Sequence, residues 1–370
     1  MDRRFHWKLP ALVLCALAFT VTLGASAGPG NGATSVSHAA TASCSVSGKG
    51  KNAAIRVGLV VDSGGLGDKS FNDAAWHGLQ SAAATLGVTA KCLVPNAGGS
   101  NRQDLLTLLA STGFNPVIAN GFNFESSIAA VAKQFPSTSF AIVSDNTDFH
   151  LPNVVSLGFS DAQYTFLSGV VAALKSKTHR VGFIGGVQLP ALVTYAAGFQ
   201  AGACYASQTF LHRQTAVFTK FLTQPPDFSG FNAPDLAKQA AQGLIDQKVD
   251  VIDHSSGGSG IGVFQAASQN RGVWAIGDVA DQYVTVGAPL NRVIISSQVA
   301  RLDVAVSAYV KSWVAGKRPS GLKFFNLRNG GETMATSGGK IDAILPQLKQ
   351  ATRAVVTGKL KLPTTPQPCS

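Results

Sequence analysis

Carboxylates are scarce in this chain, 19 Asp and Glu among 370 residues, so those standing just after strand-like runs are the first candidates for chemistry. Asp62 ends the apolar run Ile55 to Val61, Asp145 follows Ser139 to Val143, and Asp278 follows Val273 to Ile276. In an open α/β sheet the crevice beyond the carboxyl ends of the strands is where ligands sit. A carboxylate there can accept from two hydroxyl donors. Asp62 opens the segment DSGGLGDKSFNDAAWHGL, residues 62–79, whose glycines permit a tight turn. Ser70 with Asp73 three later has the form of a capping box at a helix start. Phe71, at the loop–helix junction, has two open readings: a stacking face in a cleft, or a hydrophobic staple on the core. His254 follows a strand beside Ser255 and Ser256, and is either a ligand contact or a buried structural imidazole.

These residues do not assemble into an enzyme motif. There is no GxSxG elbow, no HExxH spacing and no GxGxxG loop, since Gly257 to Gly262 reads GGSGIG. Neither a nicotinamide cofactor nor a metal is expected, and no catalytic residue is assigned.

The elements that must position the candidates alternate regularly. Strand-like runs occur at Ile55 to Val61, Thr89 to Val94, Pro116 to Ala119, Ser139 to Val143, Val154 to Leu157, Arg180 to Ile184, Thr215 to Phe218, Val249 to Ile252, Val273 to Ile276 and Val293 to Ser297. Amphipathic stretches of about 10 to 15 residues lie between them, which implies βαβ units and parallel sheets covered on both faces. The expected fold class is α/β, with two doubly wound parallel-sheet lobes. Expected boundaries are a signal over residues 1–27, a flexible tether over 28–52, lobe one over 53–156 and 301–317, lobe two over 158–296 and 321–363, and a tail over 364–370.

Charged residues make up 13% of the chain, against about 25% in a typical soluble domain. Disordered and coiled-coil chains, which need more charge, are thereby excluded. Residues 1–27 carry Arg3, Arg4 and Lys8, then an apolar run from Leu9 to Leu23, then Ala25-Ser26-Ala27, the layout of a cleaved secretory signal. Its removal takes three basic residues and Asp2, so the formal charge falls from +11 to +9. The Lys and Arg are scattered without a long run, which fits an exported protein at an anionic envelope and not a nucleic-acid partner. Cys15 and Cys44 are both poorly placed for a lipid anchor. Export leaves Cys44, Cys92, Cys204 and Cys369, which suits two disulfides with three possible connectivities.

The segment around GDKSFN resembles the signature of the basic membrane protein family, the purine-nucleoside-receptor-like solute-binding proteins of ABC importers. The similarity continues through residues 140–145, 169–173, 181–186, 197–202, 249–252, 257–263 and 276–282. The resemblance implies a type I periplasmic-binding-protein fold, two lobes joined by a three-strand hinge that close over a nucleoside, and delivery to an ABC permease. It further implies that Asp62 reaches the sugar hydroxyls, that Phe71 and Tyr195 are two aromatic plates, and that Asn72 and Asp145 hydrogen-bond the base. The loop around Gly258 and the carboxylate of Asp278 fall near the sugar. Two positions depart from the family pattern. An Asp has moved to Asp278 or been replaced by Val279, and Ala300, beside Arg301, stands where a Lys is common. The expectation is a monomer, peripheral to the membrane, binding a nucleoside-like small molecule. The alternatives are a sensor feeding a signalling receptor, or a binder of a non-nucleoside solute.

Overall fold

A computed structural model describes residues 40–369. The expected signal segment and the first part of the expected tether lie outside the described residues. Strands form where β-branched and aromatic residues run together and both faces are covered. Those of the first lobe are β1 (Ala42–Val46), β2 (Arg56–Val60), β3 (Thr89–Val94), β4 (Val117–Asn120), β5 (Phe140–Val143) and β6 (Val154–Phe159), with α1 (Phe71–Leu86), α2 (Arg102–Ser111) and α3 (Glu125–Gln134) between them. Every residue of β4, β5 and β6 is buried, as the centre of a two-sided parallel sheet requires.

The chain then enters the second lobe through α4 (Asp161–Lys175), β7 (Arg180–Val187), α5 (Pro190–Ala206), β8 (Ala216–Thr223), α6 (Pro234–Asp246) and β9 (Val251–Ser255). It continues with α7 (Gly260–Gln269), β10 (Trp274–Val279), α8 (Gln282–Val286) and β11 (Ile294–Ala300). It returns to the first lobe for α9 (Leu302–Val314) and β12 (Gly321–Phe325), and ends in the second with β13 (Glu332–Met334) and α10 (Leu345–Val356). The strand orders are β1-β3-β2-β4-β5-β6-β12 and β13-β11-β10-β9-β7-β8. All pairings are parallel except β1 on β3 and β13 on β11. The lobes are therefore joined by crossings after Phe159, Ala300 and Phe325.

Three sequence boundaries need correction. The segment 28–52 is not a tether throughout, because β1 pairs in register with β3 and Cys44 is disulfide-bonded to Cys92, Cα to Cα 5.0 Å. Its small polar residues cannot form a core, but an edge strand needs only backbone partners and a covalent fastening. Segment 321–363 does not belong wholly to lobe two, since β12 lies beside β6 in the first sheet. Three of its five residues are exposed, so it carries no burial pattern to read. Lobe one extends through Phe159, because Gly158 pairs within that same sheet. The second disulfide, Cys204–Cys369, fastens the Pro-rich tail to α5.

The backbones of α4 and α5 pack in direct contact. A Cβ on Gly169 would fall 1.9 Å from the Phe199 carbonyl oxygen, and one on Gly202 would fall 1.9 Å from that of Phe166. The hydroxyl of Thr165 donates to the Tyr195 carbonyl at 2.6 Å. These helices carry Tyr164 and Tyr195 into the space between the lobes.

Candidate functional site

The strand-end loops of both lobes meet around a cleft that encloses about 840 Å³ when its open mouth is included. The lobes are closed. The Ser70 hydroxyl donates to the Asp278 carbonyl at 2.8 Å, while the Gln282 amide and the Thr285 hydroxyl donate to the Lys69 carbonyl at 3.2 and 3.1 Å. The Tyr195 hydroxyl, from lobe two, hydrogen-bonds Ser144 of lobe one.

Five of the seven expected site residues line this cleft: Asp62, Phe71, Asn72, Tyr195 and Asp278. Phe71 rises from the first residue of α1 and packs partly on the first-lobe core, so its two readings combine. Asp62 is already engaged. Its Oδ1 accepts from Arg102 at 2.8 Å and from the Ser63 N–H at 2.7 Å, and its Oδ2 accepts from Asn123 at 2.8 Å. Gly121, at φ +114°, permits this, because a Cβ there would lie 2.8 Å from Asp62 Oδ2. Asn72 spends its amide on the protein: Oδ1 accepts from the Asp62 N–H at 2.9 Å and from Asn120 at 3.1 Å. Asp145 is not among the lining residues. Its Oδ1 accepts the Thr147 N–H at 2.8 Å, and Ser144 before it faces the cleft. In the glycine loop it is Gly257, φ +54°, that lines the cleft, while Gly258 faces Asp68 and Asn232.

The expected capping box does not form. Ser70 makes no side-chain cap, because its hydroxyl crosses to the other lobe. Asp68 caps α1 instead, accepting from the N–H groups of Ser70, Asn72 and Asp73 at 2.9, 2.8 and 3.1 Å. Burial nevertheless raises its pKa to about 6.

Asp278 is the most constrained group. Its Oδ1 accepts from the Tyr164 hydroxyl at 2.6 Å, from Ser255 at 3.3 Å and from Gln298 at 3.3 Å. Burial raises it to about 7, against those hydrogen bonds. The next residue, Val279, is held at φ +61° with its N–H on the Tyr164 oxygen at 2.6 Å. A β-branched residue in that region is strained, and such strain clusters at ligand clamps. Ala300 lines the cleft with its methyl, and Arg301 turns to Asp303 at 2.9 Å.

His254 is structural. It is fully buried, its pKa is lowered to about 4 by desolvation, and its ring lies 3.1 Å from Gln282 Oε1 and 3.2 Å from the Ser256 hydroxyl. That Gln282 oxygen also accepts the Asp278 N–H at 2.8 Å, so the imidazole steadies the strand end that carries Asp278.

Sequence reasoning missed Tyr164, Asp161, Phe122, Asn123, Phe159 and Phe231, all of which line the cleft. Asp161 and Tyr164 had a usable signal: an acid and an aromatic three apart in the first turn of a helix that follows a strand. Asp161 is raised to about 6 by burial and by Asp145. Among the described residues no cluster of His, Cys, Asp and Glu suits a metal ion, and no helix is long and apolar enough to cross a membrane.

Two closed α/β lobes with strand-end loops around one cleft have the fold of solute-binding proteins. The family model for the PnrA-like ABC transporter substrate-binding proteins matches residues 55–332, and the chain belongs to that Bmp family, whose members are non-enzymatic. A CD4+ T-cell-stimulating antigen of Listeria innocua is 31% identical over 327 residues, covering 84% of this chain and 88% of that protein. The ABC transporter nucleoside-binding protein BmpA of Lactococcus lactis is 27% identical over 326 residues, covering 84% and 89%. An ABC transporter solute-binding protein of Aeropyrum pernix superposes with a TM-score of 0.71 at 23% identity, covering 85% of this chain and 94% of that one.

Proposed function

We propose that this chain is an exported monomer that captures a nucleoside, or a related planar solute, between its lobes and delivers it to an ABC permease. The observation that carries this reading is that Phe71 from one lobe and Tyr195 from the other both line a cleft edged by carboxylates. A planar ring between aromatic faces uses apolar area, and a few oriented polar groups supply discrimination. The name of the Lactococcus relative supports a nucleoside. Asp278 and Asp161 serve as ligand acceptors. Asn72 acts as a positioning residue for Asp62, and Asp145 acts on the site through Asp161 and the Ser144 strand end. Closure follows from ligand contacts with both lobes, which favour the shut form over the open one.

Titration calorimetry with purine and pyrimidine nucleosides, free bases and ribose tests the ligand class. Micromolar to millimolar binding of at least one nucleoside is expected, and no heat from any of them removes the nucleoside assignment. Phe71→Ala and Tyr195→Ala should each weaken binding by about 1–3 kcal/mol, the scale of base stacking on aromatic side chains. Unchanged affinity in both variants would make these rings core residues only.

A further inference from the structure

The chain as a whole is basic, 30 Lys and Arg against 19 Asp and Glu, yet its cleft reverses that sign. Asp62, Asp68, Asp161 and Asp278 line it, and among the described lining residues there is no Lys, Arg or His. Among the described residues only Asp62 of these four has a cationic partner, Arg102. Asp68 is met by the N–H groups at the start of α1. Asp161 accepts no hydrogen bond among the described residues, and at Asp278 the three donors all fall on Oδ1, leaving Oδ2 without one. Asp278 is 4% exposed, so water does little to compensate it.

The carboxyls also press on one another. Asp145 raises Asp161, Asp68 raises Asp278, and Asp73 raises Asp68, each in addition to burial. Around them stand the rings of Phe71, Phe122, Phe159, Tyr164, Tyr195 and Phe231. Aromatic faces attract cations most strongly when water is excluded. Above about pH 7, where Asp278 as well as Asp161 and Asp68 is ionised, a neutral solute would leave the buried charges uncompensated, and an anion would add to them.

We propose that the occupant of this cleft carries a fixed positive charge on or beside its planar ring, as a pyridinium, a thiazolium or an N7-alkylated purine nucleoside does. This deepens the solute-binding reading above and rests on it. A ring of this kind stacks through its apolar area while its charge is met by Asp161 and the open oxygen of Asp278.

The test uses calorimetry on the full chain at about pH 8, above the value of about 7 for Asp278. 1-Methylnicotinamide, the ring-methylated pyridinium, is compared with nicotinamide, from which it differs by one methyl and one charge, and nicotinamide riboside is compared with inosine. The cation of each pair should bind at least about tenfold tighter. That margin should shrink as pH falls through about 7 and then about 6, where Asp278, then Asp161 and Asp68, take up protons. Asp161→Asn should shrink it at about pH 8, with Asp278→Asn as the second variant and thermal unfolding to check that each folds. Equal affinity within the pairs, preference for the neutral member, no binding by either cation, or a margin that ignores pH and both substitutions would each overturn the proposal. Inosine binding without the cations would overturn it while sparing the nucleoside assignment. Binding of 1-methylnicotinamide with no nucleoside bound would do the reverse.

Discussion

Asp278 combines burial, three donors on one oxygen and a strained successor, and its titration has a definite sign. Its folded value of about 7 lies above its ordinary 3.8, so between these the folded chain holds a proton that the unfolded chain has released. The resulting penalty is fully present above about pH 7 and disappears as pH falls toward 3.8. His254 works in the opposite direction, because its value is lowered from 6.5 to about 4. Its cost grows as pH falls below 6.5, so the window from about pH 8 to about 6.5 excludes the imidazole, and the difference between variant and parent separates Asp278 from the other raised carboxyls, Asp253 and Glu332 among them. Asp278→Asn should stabilise the ligand-free protein at about pH 8 by up to about 4 kcal/mol, from the size of the shift, and should flatten the rise in melting temperature on acidification to about pH 6.5. A variant with the parent's slope would place that titration elsewhere.

At the scale of elements, the approach of α4 to α5 decides where Tyr164 and Tyr195 stand. The backbones come so close that each Cβ would strike a carbonyl oxygen of the facing helix, not a side chain that can swing away. Gly169→Ala and Gly202→Ala should each destabilise by about 1–3 kcal/mol, the usual effect of overpacking, read from denaturant midpoints. Ligand affinity should fall with them because the separation of the helices sets the pairing of the two tyrosine rings, 5.3 Å between centroids. Full stability in both variants would show that the helices part without loss.

For the whole molecule, closure depends on few polar contacts, among them the Ser70 hydroxyl on the Asp278 carbonyl. Ser70→Ala removes one hydrogen bond of about 1 kcal/mol, a roughly fivefold change in ligand dissociation rate measured by stopped flow. The association rate should hold, because encounter with the open form precedes this contact. A change confined to association would mean that the contact does not latch the lobes.

Alternation of apolar runs with amphipathic stretches determined the α/β class and ten strands, because burial on both faces of a parallel strand leaves a local mark. The GDKSFN segment and strand-end positions likewise marked Asp62, Phe71 and Asp278 from the sequence alone. The exposed edge strands β1 and β12 left no such mark, since backbone pairing places no demand on side chains. Tertiary structure alone decided which polar groups remain for a ligand. Asn72 is drawn to Asp62 and Asn120, Asp62 to Arg102 and Asn123, and Ser70 to the other lobe, while Asp161 accepts no hydrogen bond among the described residues. Apart from Asn72 with Asp62, these partners lie 40 to 208 residues apart, and no local pattern encodes a hydrogen bond closed over such a distance.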